Sequence, residues 1–270
     1  TIMKRDFTPE ERKEFGLVIW DEAHKLPAPV FSQTLQKFNA KYLLGLTATP
    51  ERWDGLDALL NYGLGGKLNS TVLGTQLIPD VYVVHCQTRI PINSYRYSYG
   101  PNEGKINLGR LISLLTRIQP RNQYLTNLAL KAASKGRKVM IFSDSLAQLD
   151  VIKAGIDSQM PGQTAMFIGG TPKKEREQAM QMPVMLCTYA YAAEALDAPE
   201  RDCVILASPK SKVTQVMGRI LRSLDGKRSP IVVDVCDPNI SILEKFASKR
   251  AQEYRKIRAK IHLPDGQTLS

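Results

Sequence analysis

Short runs of apolar residues alternate with polar, helix-forming stretches along most of this chain of 270 residues. In its second half the runs are KVMIF (138–142), AMFIG (165–169), VMLCT (184–188), CVILAS (203–208) and IVVDV (231–235). Runs that are this short and apolar throughout are typical of parallel strands buried on both faces. Because parallel strands are joined by helical crossovers, the alternation predicts an α/β fold with helices on both faces of a parallel sheet.

The first half of the chain shows the same alternation with fewer strands. It predicts strands at 15–20, 41–46 and 81–86, and helices near 29–38 and 55–62. Residues 88–107 contain Pro, Gly and Asn without apolar periodicity, which is typical of a connector or an exposed loop. We therefore expect two domains, one over residues 1–107 that ends in this connector and one over residues 108–270.

A long basic helix is predicted at the carboxyl end, from about residue 241 to residue 261. Apolar side chains recur along one stripe of it, and lysines and arginines fill much of the rest. Two interpretations of the basic face stay open, namely a solvated surface and a surface that contacts phosphates.

Charge and composition narrow the classes of function. Hydrophobic residues make up 43% of the chain and charged residues 23%, as in globular proteins. No apolar run approaches the roughly 20 residues of a membrane span, and the formal net charge of +11 favours a polyanionic partner. The four cysteines form no CxxC pair, which favours buried, reduced thiols over a zinc site. We expect a cytoplasmic protein with no membrane partner.

Two carboxylates follow directly after an apolar run in the sequence VIWDEAHKL (18–26). The carboxyl ends of parallel strands are where α/β proteins place phosphate and metal chemistry, so Asp21 and Glu22 are candidate site residues. One carboxylate can hold Mg²⁺, largely through water, and its neighbour can deprotonate an attacking water. His24 can link this site to the next loop by hydrogen bonds. A metal hydrolase built on these three residues is the weaker alternative, because the sequence offers no other ligand cluster.

Two further stretches have the composition of functional loops. In GLTATPERWDG (45–55), Thr47 and Thr49 offer hydroxyls in a turn that follows an apolar strand. In QVMGRILR (215–222), a helix would place Gln215, Arg219 and Arg222 on one face, since they are spaced at i, i+4 and i+7. Two arginines one turn apart can grip a γ-phosphate and neutralise the charge that develops during its transfer. An ordinary strand-to-helix loop and a surface helix are the alternatives.

Taken together, DEAH (21–24), TATP (47–50) and QVMGRILR, in this order, resemble the nucleic-acid-dependent ATPases of helicase superfamily 2. KVMIFSDSLAQLDVI resembles motif IV at the start of the second RecA-like domain, and IGGTPKKERE with LCTYAYAAEALDAPERDCVILASPKS resembles the segment through motif V. IVVDVCDPNI and KRAQEYRK resemble the tail of a branch common in phages and large DNA viruses. The resemblance covers nearly the whole chain and implies one partial and one complete RecA-like domain, with ATP bound between them.

The resemblance also implies roles for residues of the first domain. Asp21 would coordinate the Mg²⁺ of bound ATP, and Glu22 would be the catalytic base. His24 would lie at the nucleotide. Thr47 and Thr49 would couple hydrolysis to movement of the nucleic acid.

In the second domain, the implied site residues belong to motifs V and VI. Thr188 and Glu194 would lie near the nucleic-acid backbone, and Asp197 near the nucleotide. Ala195 stands where the family usually has Gly. The remaining implied residues are those of motif VI, with the two arginines as arginine fingers: Gln215, Gly218, Arg219 and Arg222.

One motif of the family is missing from the sequence. No GxxxxGK[ST] phosphate loop occurs anywhere in the chain. The nearest stretch is GLGGKL (63–68), but the position five residues before its Gly66 is Asn61 rather than Gly, and Leu68 stands in place of Ser or Thr. We therefore expect the phosphate-loop segment to lie upstream of Thr1 and to be a required partner of this chain. On its own the chain is expected to lack ATPase activity.

The function that the sequence predicts is thus part of an ATP-dependent helicase or translocase that acts on nucleic acid, with DNA favoured over RNA. ATP and Mg²⁺ are the implied cofactors, and a viral protein of this kind would work in the host cytoplasm. The alternative is a non-catalytic fragment with a helicase fold that binds nucleic acid or another protein.

Overall fold

The computed structural model describes residues 2–47, 54–66, 77–195 and 198–269. The chain divides into two compact units, Thr1–Leu73 and Gly74–Ser270. The sequence places this division at 107/108 instead, so residues 74–107 lie with the second unit rather than the first.

The first unit contains a small parallel sheet and short helices. Its elements are α1 (Pro9–Lys13), β1 (Leu17–Trp20), α2 (Pro29–Ser32), β2 (Tyr42–Gly45) and α3 (Ala58–Leu64), with 3₁₀ turns at Ile2–Lys4, Ala23–Lys25 and Gln33–Lys37. Strands β1 and β2 pair in parallel, from Leu17 opposite Tyr42 to Trp20 opposite Gly45. Helix α3 is followed by Gly65, whose positive φ of 84° is a conformation that glycine adopts without the steric cost of a Cβ.

The strands of the first unit leave apolar side chains exposed. Leu17 and Ile19 point to the same face of β1 and are 49% and 52% exposed, and Tyr42 is 59% exposed. In the described part of this unit, the sheet thus buries one face only partly.

The second unit is built on one large sheet. Its elements are a 3₁₀ turn (Ile92–Tyr95), β3 (Asp80–His85), α4 (Leu108–Leu115), α5 (Gln119–Ser134), β4 (Val139–Phe142), α6 (Leu146–Asp157), β5 (Thr164–Phe167), α7 (Lys173–Gln181), β6 (Val184–Cys187), α8 (Tyr189–Ala195), β7 (Cys203–Leu206), α9 (Thr214–Ile220), β8 (Ile231–Cys236), α10 (Ser241–Lys256), β9 (Lys260–His262) and β10 (Thr268–Leu269). The strand order is β10-β9-β3-β8-β7-β4-β6-β5. All neighbours pair in parallel except β9 and β10.

The central strands confirm the prediction of a parallel sheet covered by helices. Every residue of β4, β6 and β7 is buried. Alternate side chains enter different clusters: Met140 and Phe142 pack with residues of α8, α9 and α10, whereas Val139 and Ile141 pack with residues of α5 and α6. The apolar runs are therefore continuous because both faces of these strands are covered.

The structure corrects two predicted elements. The strand near 81–86 lies in the large sheet between β8 and β9, not in the first unit, and Val81 pairs with both Val232 and Ile261. The carboxyl-terminal helix ends at Lys256 rather than near residue 261. Arg258 has a left-handed φ of 56°, which turns the chain so that Ile261 enters the sheet as part of β9. The elements α8, β9 and β10 were not predicted.

Candidate functional site

The acidic pair lies directly after β1, as predicted, in a tight turn. Glu22 adopts a left-handed backbone (φ 52°, ψ 45°), which costs a non-glycine residue about 1–2 kcal/mol. The Oδ1 atom of Asp21 accepts a hydrogen bond of 2.8 Å from the Glu22 N–H. Unfavourable backbone of this kind persists where the surroundings fix it, and it is common at functional sites.

A second set of contacts joins this turn to the loop after β2. The Ala23 N–H donates to the Leu46 carbonyl at 2.9 Å, and the Leu46 N–H donates to the Trp20 carbonyl at 2.8 Å. His24 Nδ1 lies 2.9 Å from Thr47 Oγ1. The structure therefore brings together Glu22, His24 and Thr47 and holds the two loops by backbone and side-chain bonds.

The Glu22 carboxylate lies beside the same imidazole. Its Oε2 atom is buried and lies 3.1 Å from His24 Nδ1. A ring nitrogen carries one hydrogen or one lone pair, and here Nδ1 is within hydrogen-bond geometry of Thr47. Within the described residues, Oε2 has no partner in hydrogen-bond geometry, so its capacity to accept a hydrogen bond is not used by those residues.

Gly45, which the sequence analysis did not single out, allows this close packing. A Cβ atom built on Gly45 would lie 2.9 Å from Ala23 Cβ and 2.4 Å from Leu64 Cδ1. The turn after β1 can therefore approach β2 only where a side chain is absent. An isolated glycine at the end of an apolar run is the sequence signal that could have found it.

Asp21 fits a magnesium ion that is bound mainly by phosphates and water. The side chain is exposed, and among the described residues its only hydrogen bond is the one to Glu22. No group of three or more His, Cys, Asp or Glu side chains gathers as a metal site in the ranges that the structure describes. Mg²⁺ in nucleotide sites commonly uses one or two carboxylates rather than an all-protein cage, and the donors present are of that kind.

The residues of the motif V segment lie around α8. Thr188 directly follows β6, and its carbonyl accepts from the Ala192 N–H at 3.0 Å, which starts the helix. Glu194 and Ala195 are the last residues of α8. Ala195, where the family usually has Gly, is thus the last helical residue. Thr49 and Asp197 lie outside the described residues.

The residues of motif VI lie on and just after α9. Gln215, Gly218 and Arg219 are within this helix of seven residues. A Cβ built on Gly218 would meet no atom of the described residues within 4 Å. Arg222 is exposed and lies beyond the helix, which ends at Ile220, and the Leu221 carbonyl accepts a hydrogen bond from the Leu77 N–H at 2.9 Å. The predicted single helical face that includes Arg222 was therefore wrong, since the helix does not extend to 222.

The connection between β7 and α9 carries polar contacts that sequence reasoning missed. Ser208 Oγ accepts from the Asp144 N–H at 2.8 Å, and Lys210 Nζ lies 2.9 Å from Asp144 Oδ2. The Tyr189 hydroxyl donates to the Ser208 carbonyl at 3.0 Å. These residues come from the carboxyl ends of three neighbouring parallel strands, where ligand sites of α/β sheets are found.

The basic face of α10 is exposed as predicted at several positions. Lys245, Lys249, Arg255 and Lys256 are all exposed. Arg250 is not part of that face, because it is 2% exposed and paired with Asp234. The four cysteines are buried and free. None of the helices in the described residues is both long and apolar enough to cross a membrane.

Comparisons with known proteins match both units. The family described as "Type III restriction enzyme, res subunit" matches residues 2–52, and the family described as "Helicase conserved C-terminal domain" matches residues 120–224. The crystal structure of T4 UvsW is similar with a TM-score of 0.53 and 18% identity, over 97% of this chain and 56% of that one. A mostly parallel sheet flanked by helices, with this likeness, is a RecA-like fold.

Two similar curated proteins come from a virus and a phage. A protein of Acanthamoeba polyphaga mimivirus, which bears the name of an ATP-dependent RNA helicase, is 29% identical over 265 residues, 95% of this chain and 50% of its own length. A protein of Escherichia phage T5, which bears the name of a helicase, is 27% identical over 232 residues, 83% of this chain and 49% of its own. The chain spans about half the length of the curated relatives it matches. Together the matches support its assignment to helicase superfamily 2, with a partial ResIII region in the first unit.

Proposed function

We propose that this chain is part of an ATP-dependent helicase or translocase, a hydrolase that couples ATP turnover to movement along nucleic acid. The observation that carries the proposal is the joined pair of loops in the first unit. There Glu22 is held in a left-handed turn next to His24, whose Nδ1 lies 2.9 Å from Thr47 Oγ1. A carboxylate on an unfavourable backbone, next to a histidine that contacts a hydroxyl of the next loop, is an arrangement suited to coupled hydrolysis.

In this proposal the carboxylates divide the work at the nucleotide. Asp21 would hold Mg²⁺ through its exposed carboxylate, and the metal would supply neutralisation of phosphate charge. Glu22 accepts a proton from the attacking water through a carboxylate oxygen that His24 flanks at 3.1 Å. His24 relays changes at this turn to Thr47, and Thr49 acts with it in coupling.

The second unit supplies the residues of motifs V and VI. Arg219 and Arg222 neutralise charge on the transferred phosphoryl group, and Gln215, Gly218 and Asp197 complete the nucleotide contacts. Thr188 and Glu194 act at the nucleic-acid backbone. In a protein in which a phosphate-loop segment precedes Thr1, we expect Arg219→Ala to lower ATP turnover by roughly a thousandfold, as for loss of an arginine finger, without changing the thermal melt. Arg117→Ala, at an exposed arginine outside the motifs, is the control, and near-normal turnover by Arg219→Ala would exclude the role.

The nucleic acid is proposed to be held by its phosphates. The net charge of +11 and the exposed lysines and arginines of α10 support this. DNA is the proposed partner, and the relatives that bear the name of RNA helicases make RNA the alternative. Binding of matched DNA and RNA oligonucleotides should weaken log-linearly with salt and vary little with sequence. A shallow salt dependence with a strong preference for one sequence would contradict phosphate binding.

The chain itself is proposed not to hydrolyse ATP. Its sequence has no GxxxxGK[ST] loop, and in phosphoryl transfer that loop positions the β- and γ-phosphates. The test compares nucleic-acid-stimulated ATPase of residues 1–270 with that of a protein in which a phosphate-loop segment precedes Thr1. Turnover is expected only in the second protein and is expected to be lost on Glu22→Gln but kept on Glu103→Gln.

The missing phosphate loop also favours a second candidate function, a non-catalytic module that binds nucleic acid. The same comparison separates the two. If nucleic acid binds but neither protein turns over ATP, the module is the better description. Robust ATPase from residues 1–270, lost on Glu22→Gln, would show instead that the phosphates bind at residues not assigned above.

A further inference from the structure

The connection between β7 and α9 (residues 208–213) leads directly into the helix that carries Gln215 and Arg219. Its first part is fixed to the body of the second unit, since Ser208 bonds to both Tyr189 and Asp144. Lys210 pairs with Asp144 at 2.9 Å, and its ammonium lies 5.2 Å from the centroid of the Tyr189 ring. The start of the connection is therefore defined by residues that follow β4 and β6.

The second part of the connection is fixed by α10. Arg250 Nη1 donates to the Lys210 carbonyl at 2.6 Å. One turn further along α10, Glu253 Oε2 accepts from the Val213 N–H at 3.1 Å. Because Val213 is the N-cap residue of α9, this carboxylate sits at the beginning of the arginine-carrying helix.

Helix α9 has little local stabilisation of its own. It has seven residues, and its N-cap side chain makes no capping hydrogen bond. Gly218 in its interior lowers its intrinsic stability further, and isolated helices of this length are not stable in water. In a capping box a glutamate of the same helix bonds the N-cap N–H; here Glu253 does so from a different helix and also offers negative charge to the positive end of the helix dipole.

Arg250, which bonds the Lys210 carbonyl, is itself held by several contacts. Its Nε atom lies 3.0 Å from each oxygen of Asp234, and its Nη2 atom lies 2.7 Å from Oδ1. The Tyr254 hydroxyl donates to Asp234 Oδ2 at 2.8 Å. Arg250, Asp234 and Tyr254 are all almost fully buried. These contacts fix the position of α10 relative to β8. Because α10 also bonds the connection between β7 and α9, it can hold that connection in a defined position.

We propose that Glu253 and Arg250 are positioning residues that set the placement of α9, and with it the arginines of motif VI. The inference rests on the proposed function, because it assigns these two residues to the site that α9 would complete. Helix α10 would then hold the motif VI helix in place in addition to presenting a basic surface. Glu253 is the residue to test, since it is only half-buried and its removal leaves the Asp234 pair intact.

The first experiment measures α9 directly in the 270-residue chain. Hydrogen–deuterium exchange is compared for the unchanged chain, Glu253→Ala, Glu253→Gln and the control Glu244→Ala, which removes an exposed carboxylate from the same helix. Amides of residues 213–221 are expected to exchange about fivefold faster in Glu253→Ala, the factor that corresponds to loss of a typical N-cap. Glu253→Gln keeps an acceptor oxygen and should recover part of the protection, whereas Glu244→Ala should match the unchanged chain.

The second experiment measures catalysis in the protein in which a phosphate-loop segment precedes Thr1. Glu253→Ala is expected to lower kcat at least about tenfold with little change in the KM for ATP, because a misplacement of about 1 Å can cost on the order of 100-fold in rate. The kcat of Glu253→Gln should lie between that of the protein without the substitution and that of Glu253→Ala. A role confined to stability would instead lower the melting temperature without this split between kcat and KM.

Each outcome decides the proposal. Unchanged exchange over residues 213–221 in Glu253→Ala overturns it, whatever the ATPase. Faster exchange with unchanged kcat also overturns it, because α9 would then be held without consequence for the site. If the protein with the phosphate-loop segment and no substitution turns over no ATP, the proposed function fails. The proposal that Glu253 positions catalytic arginines then fails as well, even where exchange shows that α10 holds α9. Faster exchange with the kcat loss supports it.

Discussion

Replacing Arg250 by methionine should destabilise the second unit more than any surface change on α10. The substitution keeps most of the side-chain volume but leaves the Asp234 carboxylate, which is 2% exposed, without its cation. Burial lowers the pKa of the Arg250 guanidinium, and the charge and hydrogen bonds of Asp234 outweigh that effect and raise it. Asp234 would keep the Tyr254 hydroxyl at 2.8 Å and lose every contact to Arg250. Removing one partner of a buried ion pair costs about 3–5 kcal/mol.

Thermal unfolding followed by far-UV circular dichroism measures this cost. A unit of this size loses roughly 2–4 °C per kcal/mol, so the expected shift is roughly 6–20 °C downward. Arg255→Met, at an exposed arginine of the same helix, is the matched control and should change the free energy of unfolding by less than about 0.5 kcal/mol. The double variant Asp234→Leu with Arg250→Met should be destabilised less than the sum of its single variants. A loss below about 1 kcal/mol for Arg250→Met, or strict additivity in the double variant, would refute the reasoning.

Three further outcomes are expected. Gly218→Ala should raise the free energy of unfolding of the second unit by up to about 1 kcal/mol, because a Cβ there meets no described atom within 4 Å and alanine favours helix. A higher melting temperature in thermal unfolding would show this gain. Any loss of ATPase in the protein with the phosphate-loop segment would then come from a group that approaches this helix. Gly45→Ala should destabilise the first unit, because its Cβ would lie 2.4 Å from Leu64 Cδ1 and 2.9 Å from Ala23 Cβ; tryptophan fluorescence during denaturation tests this, and an unchanged midpoint contradicts it. Burial raises the pKa of the thiols of Cys86, Cys187, Cys203 and Cys236 to about 11 or 12. At pH 8 these thiols are therefore protonated and should react with a disulfide reagent only after denaturation. Fast labelling of any of them in the native chain would contradict this burial.

The central strands could be predicted because their sequence and their environment agree. A run such as VMIF is apolar at every position, and the structure covers both of its faces. The sheet to which a strand belongs is not encoded in such a run. Strand β3 has a recognisable strand pattern, yet its partners lie some 150 to 180 positions further along the chain, as in the pairs Val81 with Val232 and Val81 with Ile261. Pairing over that distance is decided by the assembled core.

The end of the last helix shows a different limit. Ile257 and Ile261 continue the helical spacing of the apolar stripe, so the sequence extends the helix to them. The left-handed residue that ends it is Arg258 rather than a glycine or asparagine, and a three-residue strand follows. Tertiary pairing of Ile261 with Val81 wins over local helix preference. The element boundary is set by the sheet.

For the candidate site, the sequence predicted positions and left supporting contacts undetermined. The DEAH segment and Thr47 follow the paired strands β1 and β2, and the link from His24 to Thr47 is present. The catalytic roles of the site residues stay predictions. Gly45 and Glu253 were not found, since a glycine in an apolar run and a glutamate in a basic helix are ordinary in isolation. Only the fold places the one beside Ala23 and the other beside Val213.

The candidate residues of the first unit and those of the second share a physical property that explains why their supports are remote. Glu22 stands in a backbone conformation that its own residue type disfavours, and it keeps that conformation because Ala23 is bonded to Leu46 of the next loop. Helix α9 is too short to be stable alone, and Glu253 of α10 bonds its first residue. In each case the local sequence is weak and the restraint comes from elsewhere in the same unit. A segment held in this way can shift when its remote contact shifts, without any change in its own residues. Substitutions at the supports should therefore alter the placement of the candidate site residues while leaving their chemistry intact.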